Sequence, residues 1–177
     1  LSLSSGEVFF EGNCITYNFF EKGKVSAIRH GDSSVSSNIN GHAYKVNLVG
    51  SNTNYSKKGL LKTKNFYNFF KGKNPEKWAS NVHAYRKIEY VNIYDSINML
   101  VYQKNNHLKY DLILKPGAKT KEIKLFYQGA SKLSIVNGHL NITTSLGKVI
   151  EQSPYAYQFI NEVETKVKCH YSLNNDT

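Results

Sequence analysis

An all-β, antiparallel fold is what this chain predicts, on three observations: ring-bearing residues that alternate, turn signals at short intervals, and no sustained helical period. Between Asn65 and Leu114, a run that includes Phe66, Tyr67, Phe69, Phe70, Trp78, Tyr85, Tyr90, Tyr94, Tyr102 and Tyr110 falls into segments broken by polar turns. Aromatic and β-branched side chains at a period of two favour strands with one covered face, so a second layer is required. About eleven or twelve short strands, with turns roughly every eight to twelve residues, make an antiparallel sandwich-like stack.

Taken in order, Glu7 to Glu11 and Cys14 to Phe20 flank the turn pair Gly12-Asn13 as a hairpin, followed by a turn at Lys22-Gly23. Lys24 to Arg29 reads as a weaker strand. Residues 31–41 are rich in Ser and Asn and poor in apolar side chains, which predicts a flexible surface loop. His42 to Val49 places Tyr44, Val46 and Leu48 on one face. After a polar linker come Leu60-Leu61 and the aromatic cluster Phe66 to Phe70. Asn74-Pro75 is an N-cap with proline at the first helical position, so at most one short helical turn is expected near 75–79, pressing Trp78 onto the core. A meander follows through Arg86 to Tyr94, Ile97 to Gln103, the turn Lys104 to Asn106, and His107 to Lys115, stopping at Pro116-Gly117. Glu122 to Tyr127, Lys132 to Val136 and Leu140 to Thr144 continue it, the last two joined by the hairpin pair Asn137-Gly138. Lys148 to Gln152, Tyr155 to Ile160 and Val163 to Leu173 complete the set, with Asn161-Glu162 as a tight turn.

A chain of 177 residues is long enough to bury its own core without metal or disulfides, and residues 1–177 read as a single β-rich domain. The net charge of +10 invites a nucleic-acid reading, but Arg29 and Arg86 are the only arginines. Arginine supplies the bidentate phosphate and guanine contacts, so the lysines read instead as a solvated surface and no nucleic-acid partner is expected. No run approaches the roughly 18 apolar residues that span a bilayer, so this segment is not expected to insert into a membrane. The chain opens at Leu1 and stops abruptly after a strong strand, which reads as a piece excised from a longer polypeptide.

Candidate chemistry is sparse. The six histidines form no H-E-x-x-H or similar ligand pattern, and no metal or other cofactor is expected. There is no G-x-S-x-G nucleophile elbow, and the chain is not read as an enzyme. Asp111, between Tyr110 and Leu112 in an apolar strand, is a candidate acid or ligand contact, with pairing to a neighbouring lysine or backbone donor as the plainer reading. Trp78, Tyr85, Tyr155 and Tyr157 lie beside turns, where an exposed ring can stack on a sugar face while its polar edge hydrogen-bonds a hydroxyl; these are the candidate ligand contacts. Cys14 and Cys169 are the only cysteines; a bond between them would close a long loop, and two separate thiols are the alternative.

Four stretches, Gly41 to Gly50, Asn68 to Tyr85, Tyr90 to Ala118 and Thr144 to Gln158, together resemble the blocks of a family of uncharacterised N-terminal β-rich domains in exported bacterial proteins. Gly41-His42-Ala43-Tyr44-Lys45-Val46 with Leu48-Val49-Gly50 resembles its "GHAY-x-V…GAN" block. Asn68-Phe69-Phe70-x-Gly72-x-Asn74-Pro75-x-Lys77-Trp78, followed by Asn81-Val82 and Tyr85, is similar to "NYFIGNDPSKW…NV-x-x-Y". Tyr90-x-Asn92-Ile93-Tyr94, Leu108-Lys109-Tyr110-Asp111 and Pro116-Gly117-Ala118 resemble "Y-x-N-x-Y-x-GID…LEYDF…PGA", and Thr144-Ser145-Leu146-Gly147 with Pro154-Tyr155-Ala156-Tyr157-Gln158 resembles "TSLG…P-x-AYQ". The usual "ENKGQ" opening is missing and a final strand pair is not seen after Leu173, as for a domain trimmed at both ends; Ser96 and Asn98 depart from the "GID" block.

The resemblance implies a fragment of a large surface or secreted protein, of the Bacteroidetes kind exported by gliding-associated (type IX) secretion and often carrying beta-propeller-type or immunoglobulin-like repeats. It implies no known activity. The expectation is therefore a non-catalytic structural or adhesive module, extracellular or on the cell surface, with surface glycans or other cell-surface proteins as partners. The alternative is a carbohydrate-binding module using an aromatic platform.

Overall fold

The computed structural model describes residues 2–3, 6–21, 23–31, 34, 36, 38–105 and 107–174. It is all-β, with four antiparallel sheets, and it divides into two compact units: Leu1–Asn47 with Leu125–Thr177, and Leu48–Lys124.

In the first unit, β1 (Ser2–Leu3), β2 (Gly6–Glu11), β3 (Cys14–Phe20), β4 (Gly41–Val49) and, after the second unit's four strands, β9 (Lys124–Gln128) form one sheet in that order. Gly12-Asn13 makes the expected two-residue turn, with Glu11 opposite Cys14. Tyr17 and Tyr44 face each other across β3 and β4 with ring centroids 4.9 Å apart, and Val8, Ile15, Val46 and Tyr127 are buried with them. A second sheet of three strands, β10 (Lys132–Val136), β11 (His139–Thr144) and β12 (Gly147–Glu151), is joined by Asn137-Gly138, both at positive φ as a primed hairpin turn requires. Its middle strand buries Leu140, Ile142 and Thr144 on one face. β13 (Ala156–Ile160) and β14 (Val163–Val167) form a separate two-stranded ribbon through Asn161-Glu162.

The second unit is a meander of β5 (Ser56–Phe69), β6 (Ala79–Tyr94), β7 (Ile97–Lys104) and β8 (His107–Leu114). Tyr90, Ile93, Tyr94, Ile97, Met99 and Val101 are its buried centre. β6 bulges there: Tyr90 pairs Met99 and Tyr94 pairs Ile97, leaving three residues opposite Asn98 alone. The buried Asn98 amide fills the gap, accepting the Asn92 N–H at 2.9 Å and donating to Glu89 Oε1 at 2.9 Å. An amide does both jobs, whereas an aspartate, the residue the family resemblance expects at this position, is an acceptor only. Asn52 closes the outer side, donating its backbone N–H to Ile93 O and its side chain to Asn92 O.

Three local expectations change. Lys24–Arg29 is a short α-helix (α1) rather than a strand: Gly23 enters it at φ 80, and Lys24 pairs with Glu21 at 2.8 Å, three residues back. Six residues are too few for periodicity to separate helix from strand. Trp78 follows a single 3-10 turn at Pro75–Lys77, capped as expected by Asn74 Oδ1 accepting the Glu76 N–H, but its ring is not pressed onto the core. The last expected strand ends at Val167, and the chain beyond runs without regular structure until Tyr171 donates its hydroxyl to Gln152 O at 3.2 Å. There are also more strands, fourteen among the described residues, and a second 3-10 turn at Thr120–Glu122. The segment expected as a flexible loop, 31–41, lies partly outside the described residues, as does the turn residue Asn106.

Candidate functional site

β6 starts as half of a two-stranded ribbon. Its pairing with β7 begins at Lys87 opposite Tyr102, so among the described residues β5 is the only strand that pairs with residues 79–86. Every residue from 64 to 82 is exposed. An isolated hairpin is marginal in water, so local contacts must hold this one. Tyr67 and Phe69 stack at 6.3 Å; Phe70 meets Trp78 edge to face at 5.5 Å; and Trp78 Nε1–H donates to Gly72 O at 3.2 Å, closing the tip loop. Asn68 Oδ1 accepts the Asn81 N–H at 2.9 Å where the register shifts and Asn81 takes φ 55. Trp78 is thus a loop clamp that remains 42% exposed.

Tyr85 sits where the ribbon enters the sheet. Its ring lies flat on Gly59, so close that a Cβ there would come within 2.6 Å of ring carbons. Asp111 is on the solvent side of β8 and accepts the Tyr102 hydroxyl at 3.3 Å; its partner is a phenol from the neighbouring strand rather than a lysine.

Tyr155 and Tyr157 belong to the first unit. They fall on one face of the β13 and β14 ribbon together with Phe159, which the sequence reading did not single out although it continues the same period of two. Ring centroids step by 5.7 Å from Tyr155 to Tyr157 and again to Phe159, and the three residues are 60%, 50% and 66% exposed. Lys166 Nζ stands 5.7 Å from the Tyr155 ring centre, and Tyr155 donates its hydroxyl to Glu164 Oε1 at 2.7 Å. That bond to a carboxylate, more than any burial, raises the phenol pKa. The row is a shallow aromatic strip with one cationic and one anionic rim group.

A pairing absent from the sequence reading links His42 to Ser145. His42 Nδ1 accepts the Ser145 N–H at 3.2 Å and lies 3.0 Å from Ser145 Oγ, which makes Nε2 the protonated nitrogen, and Nε2–H donates to Gly129 O at 3.0 Å. Because the Nδ1 lone pair is committed to a backbone donor, the imidazole acts as a clamp between two turns of this unit. Beside it is an open cleft of about 710 Å³ lined by Phe19, Phe20, Lys24, Thr144, Leu146 and Val149. Sequence spacing carries no signal for a contact across 103 positions.

Cys14 is half-buried, Cys169 is exposed, and both are free thiols. Among the described residues no three His, Cys, Asp or Glu side chains gather as a metal site, and no helix is long and apolar enough to cross a membrane. In the core of the first unit, burial first, then Tyr17 and Glu151, pushes the Tyr44 hydroxyl pKa up, and that hydroxyl has no hydrogen-bond partner among the described residues.

The chain belongs to the family described as Domain of unknown function (DUF7948), whose profile matches residues 1–177. No curated protein and no solved structure matches it.

Proposed function

We propose that this chain is a non-catalytic structural or adhesive module of a secreted or cell-surface bacterial protein, of the gliding-associated, type IX-exported kind that its sequence blocks resemble. One observation carries the reading: the chain projects two ribbons whose large apolar rings face water instead of a core, at 64–82 and at 155–167. Exposed apolar surface of this kind marks contact with a partner. In an adhesive module those ribbons are the contact surface for glycans or for other cell-surface proteins.

A second reading, a carbohydrate-binding module, is favoured by the Tyr155, Tyr157 and Phe159 row. Ring faces carry negative quadrupole charge and attract the C–H edges of a sugar, while the Tyr157 hydroxyl and the Lys166 ammonium reach its hydroxyls. A glycan array with the full chain separates the two. Binding lost in Tyr155→Ala or Trp78→Ala without loss of folding supports the carbohydrate reading; silence on every glycan, with retention by immobilised cell-surface protein, supports adhesion to protein. Failure to bind either would refute the adhesive reading and leave a structural role. Surface location is checked by protease treatment of intact source cells, which should remove the protein.

A further inference from the structure

The two ribbons differ in charge. Around the Tyr155 row, Lys166 is balanced by Glu164. Along the ribbon, from Lys62 at its base through Lys64 to Lys71, Lys73 and Lys77 at the tip, five lysines accompany a single carboxylate, Glu76. The ion pairs found among the described residues involve Lys24, Lys45 and Lys119, so none of these five lysines is neutralised by an acid. The loop between Phe70 and Trp78, with Lys71, Lys73 and Lys77, is thus a cationic collar set directly against apolar rings.

We infer that the tip of this ribbon binds an acidic polysaccharide, its sugar rings stacking on Phe70, Trp78, Tyr67 and Phe69 and its carboxylate or sulfate groups meeting Lys71, Lys73 and Lys77. The inference rests on the carbohydrate-binding reading, places the sugar on this ribbon rather than on the Tyr155 row, and adds the charge class of the ligand. Charge complementarity carries it: an uncompensated lysine cluster attracts a polyanion and fails to favour a neutral chain. The side-chain amides at the tip are partly committed, Asn68 to the Asn81 N–H and Asn74 to the Glu76 N–H, but each keeps an NH₂ group that can donate to sugar oxygens. Two other polyanions fit less well. An anionic membrane would have to take up the apex of the loop first, and the apex, Lys71-Gly72-Lys73-Asn74-Pro75-Glu76-Lys77, has four charged residues and no large apolar side chain to insert. A nucleic acid is best gripped by arginine, and none lies between residues 62 and 82.

The test is equilibrium binding of the full chain to polygalacturonate and heparin, with dextran and xylan as neutral polymers and with oligo-dT and phosphatidylglycerol vesicles as the other polyanions. Each is measured at low and at raised salt. Both acidic polysaccharides should bind and weaken as salt rises, while dextran and xylan should not. Lys71→Gln/Lys73→Gln/Lys77→Gln, all in an exposed loop, should lose about tenfold or more in affinity. Phe70→Ala should lose a comparable factor, with folding of the chain confirmed by circular dichroism and the order of the loop by the Trp78 indole N–H resonance, because Phe70 packs on Trp78.

Acidic binding that ignores Phe70→Ala would overturn the inference, since charge attraction alone would then suffice. Equal binding of dextran or xylan, unchanged by the lysine variant, would also overturn it while leaving the carbohydrate reading in place. Silence on all four polysaccharides would end both, and tighter binding to oligo-dT or to vesicles would reassign the surface.

Discussion

Along β6, Tyr90 and Tyr94 are 1% and 2% exposed, whereas Val82 and Tyr85, on the same strand, stay open to solvent. Both halves carry large side chains, and both pair with β5. What separates them is the second neighbour: β7 flanks β6 from Lys87 onward and not before. A covered face turns an aromatic into core, and an uncovered one leaves it for something outside the unit. Position in the sheet, more than residue type, therefore decides which rings belong to stability and which to recognition.

The largest effect should come from cutting into the covered half. Ile97→Ala removes a fully buried side chain and should cost about 2–5 kcal/mol. Phe70→Ala, in the ribbon, should stay within about 0.5 kcal/mol. Urea melts of the two variants measure the contrast directly, and equal losses would break it.

Asn98→Asp comes next, at about 1–3 kcal/mol, because it places a carboxylate against Glu89 and removes the donor that bond requires. Adding Glu89→Gln should restore most of the loss, and a double-mutant cycle in the same melts reads the coupling. Gly59→Ala should cost about 1 kcal/mol by lifting the Tyr85 ring, which marks the border between the two halves. Chemical shifts of the Tyr85 ring protons report the displacement, and an unmoved ring would contradict the packing described.

The smallest effect lies in the first unit. The Lys24 ammonium, then the Asn40 side chain and backbone, lower the Glu21 pKa to about 2. A carboxyl whose pKa falls on folding stabilises the fold above its unfolded pKa and loses that contribution as pH drops through the folded value. The tie of α1 and residue 40 to Glu21 should hold at neutral pH and loosen as pH falls toward about 2. A carboxyl-carbon NMR titration of Glu21 checks this, and a midpoint in the ordinary carboxylate range would contradict it.

Much of the fold was legible in the chain. Gly12-Asn13, Asn137-Gly138 and Asn161-Glu162 are local signals in which two residues fix a turn and the register of the strands beside it, and all three turn where expected. The meander from Arg86 to Leu114 follows from alternation and its turn signals, whereas Ala79 to Tyr85, the first part of β6, carries no such pattern. α1 was misread because six residues hold less than two helical turns, and Trp78 because a cap locates a helical turn without saying what lies beneath it. For the site, period two collected Tyr155 and Tyr157 and, carried one step further, would have collected Phe159. It carries no information on whether a sheet face will be covered, which is why the all-exposed ribbon at 64–82 had to be read from the register. The clasp of His42 on Gly129 and Ser145 joins residues far apart in the chain and leaves no local trace.

Native-state hydrogen exchange resolved along β6 tests the division most directly. Amides of residues 87–94 that bond within the sheet should exchange only through global unfolding, while those of 79–86 exchange through local opening, orders of magnitude faster. Uniform protection from Ala79 to Tyr94 would contradict the account, since it would mean that the ribbon is covered after all.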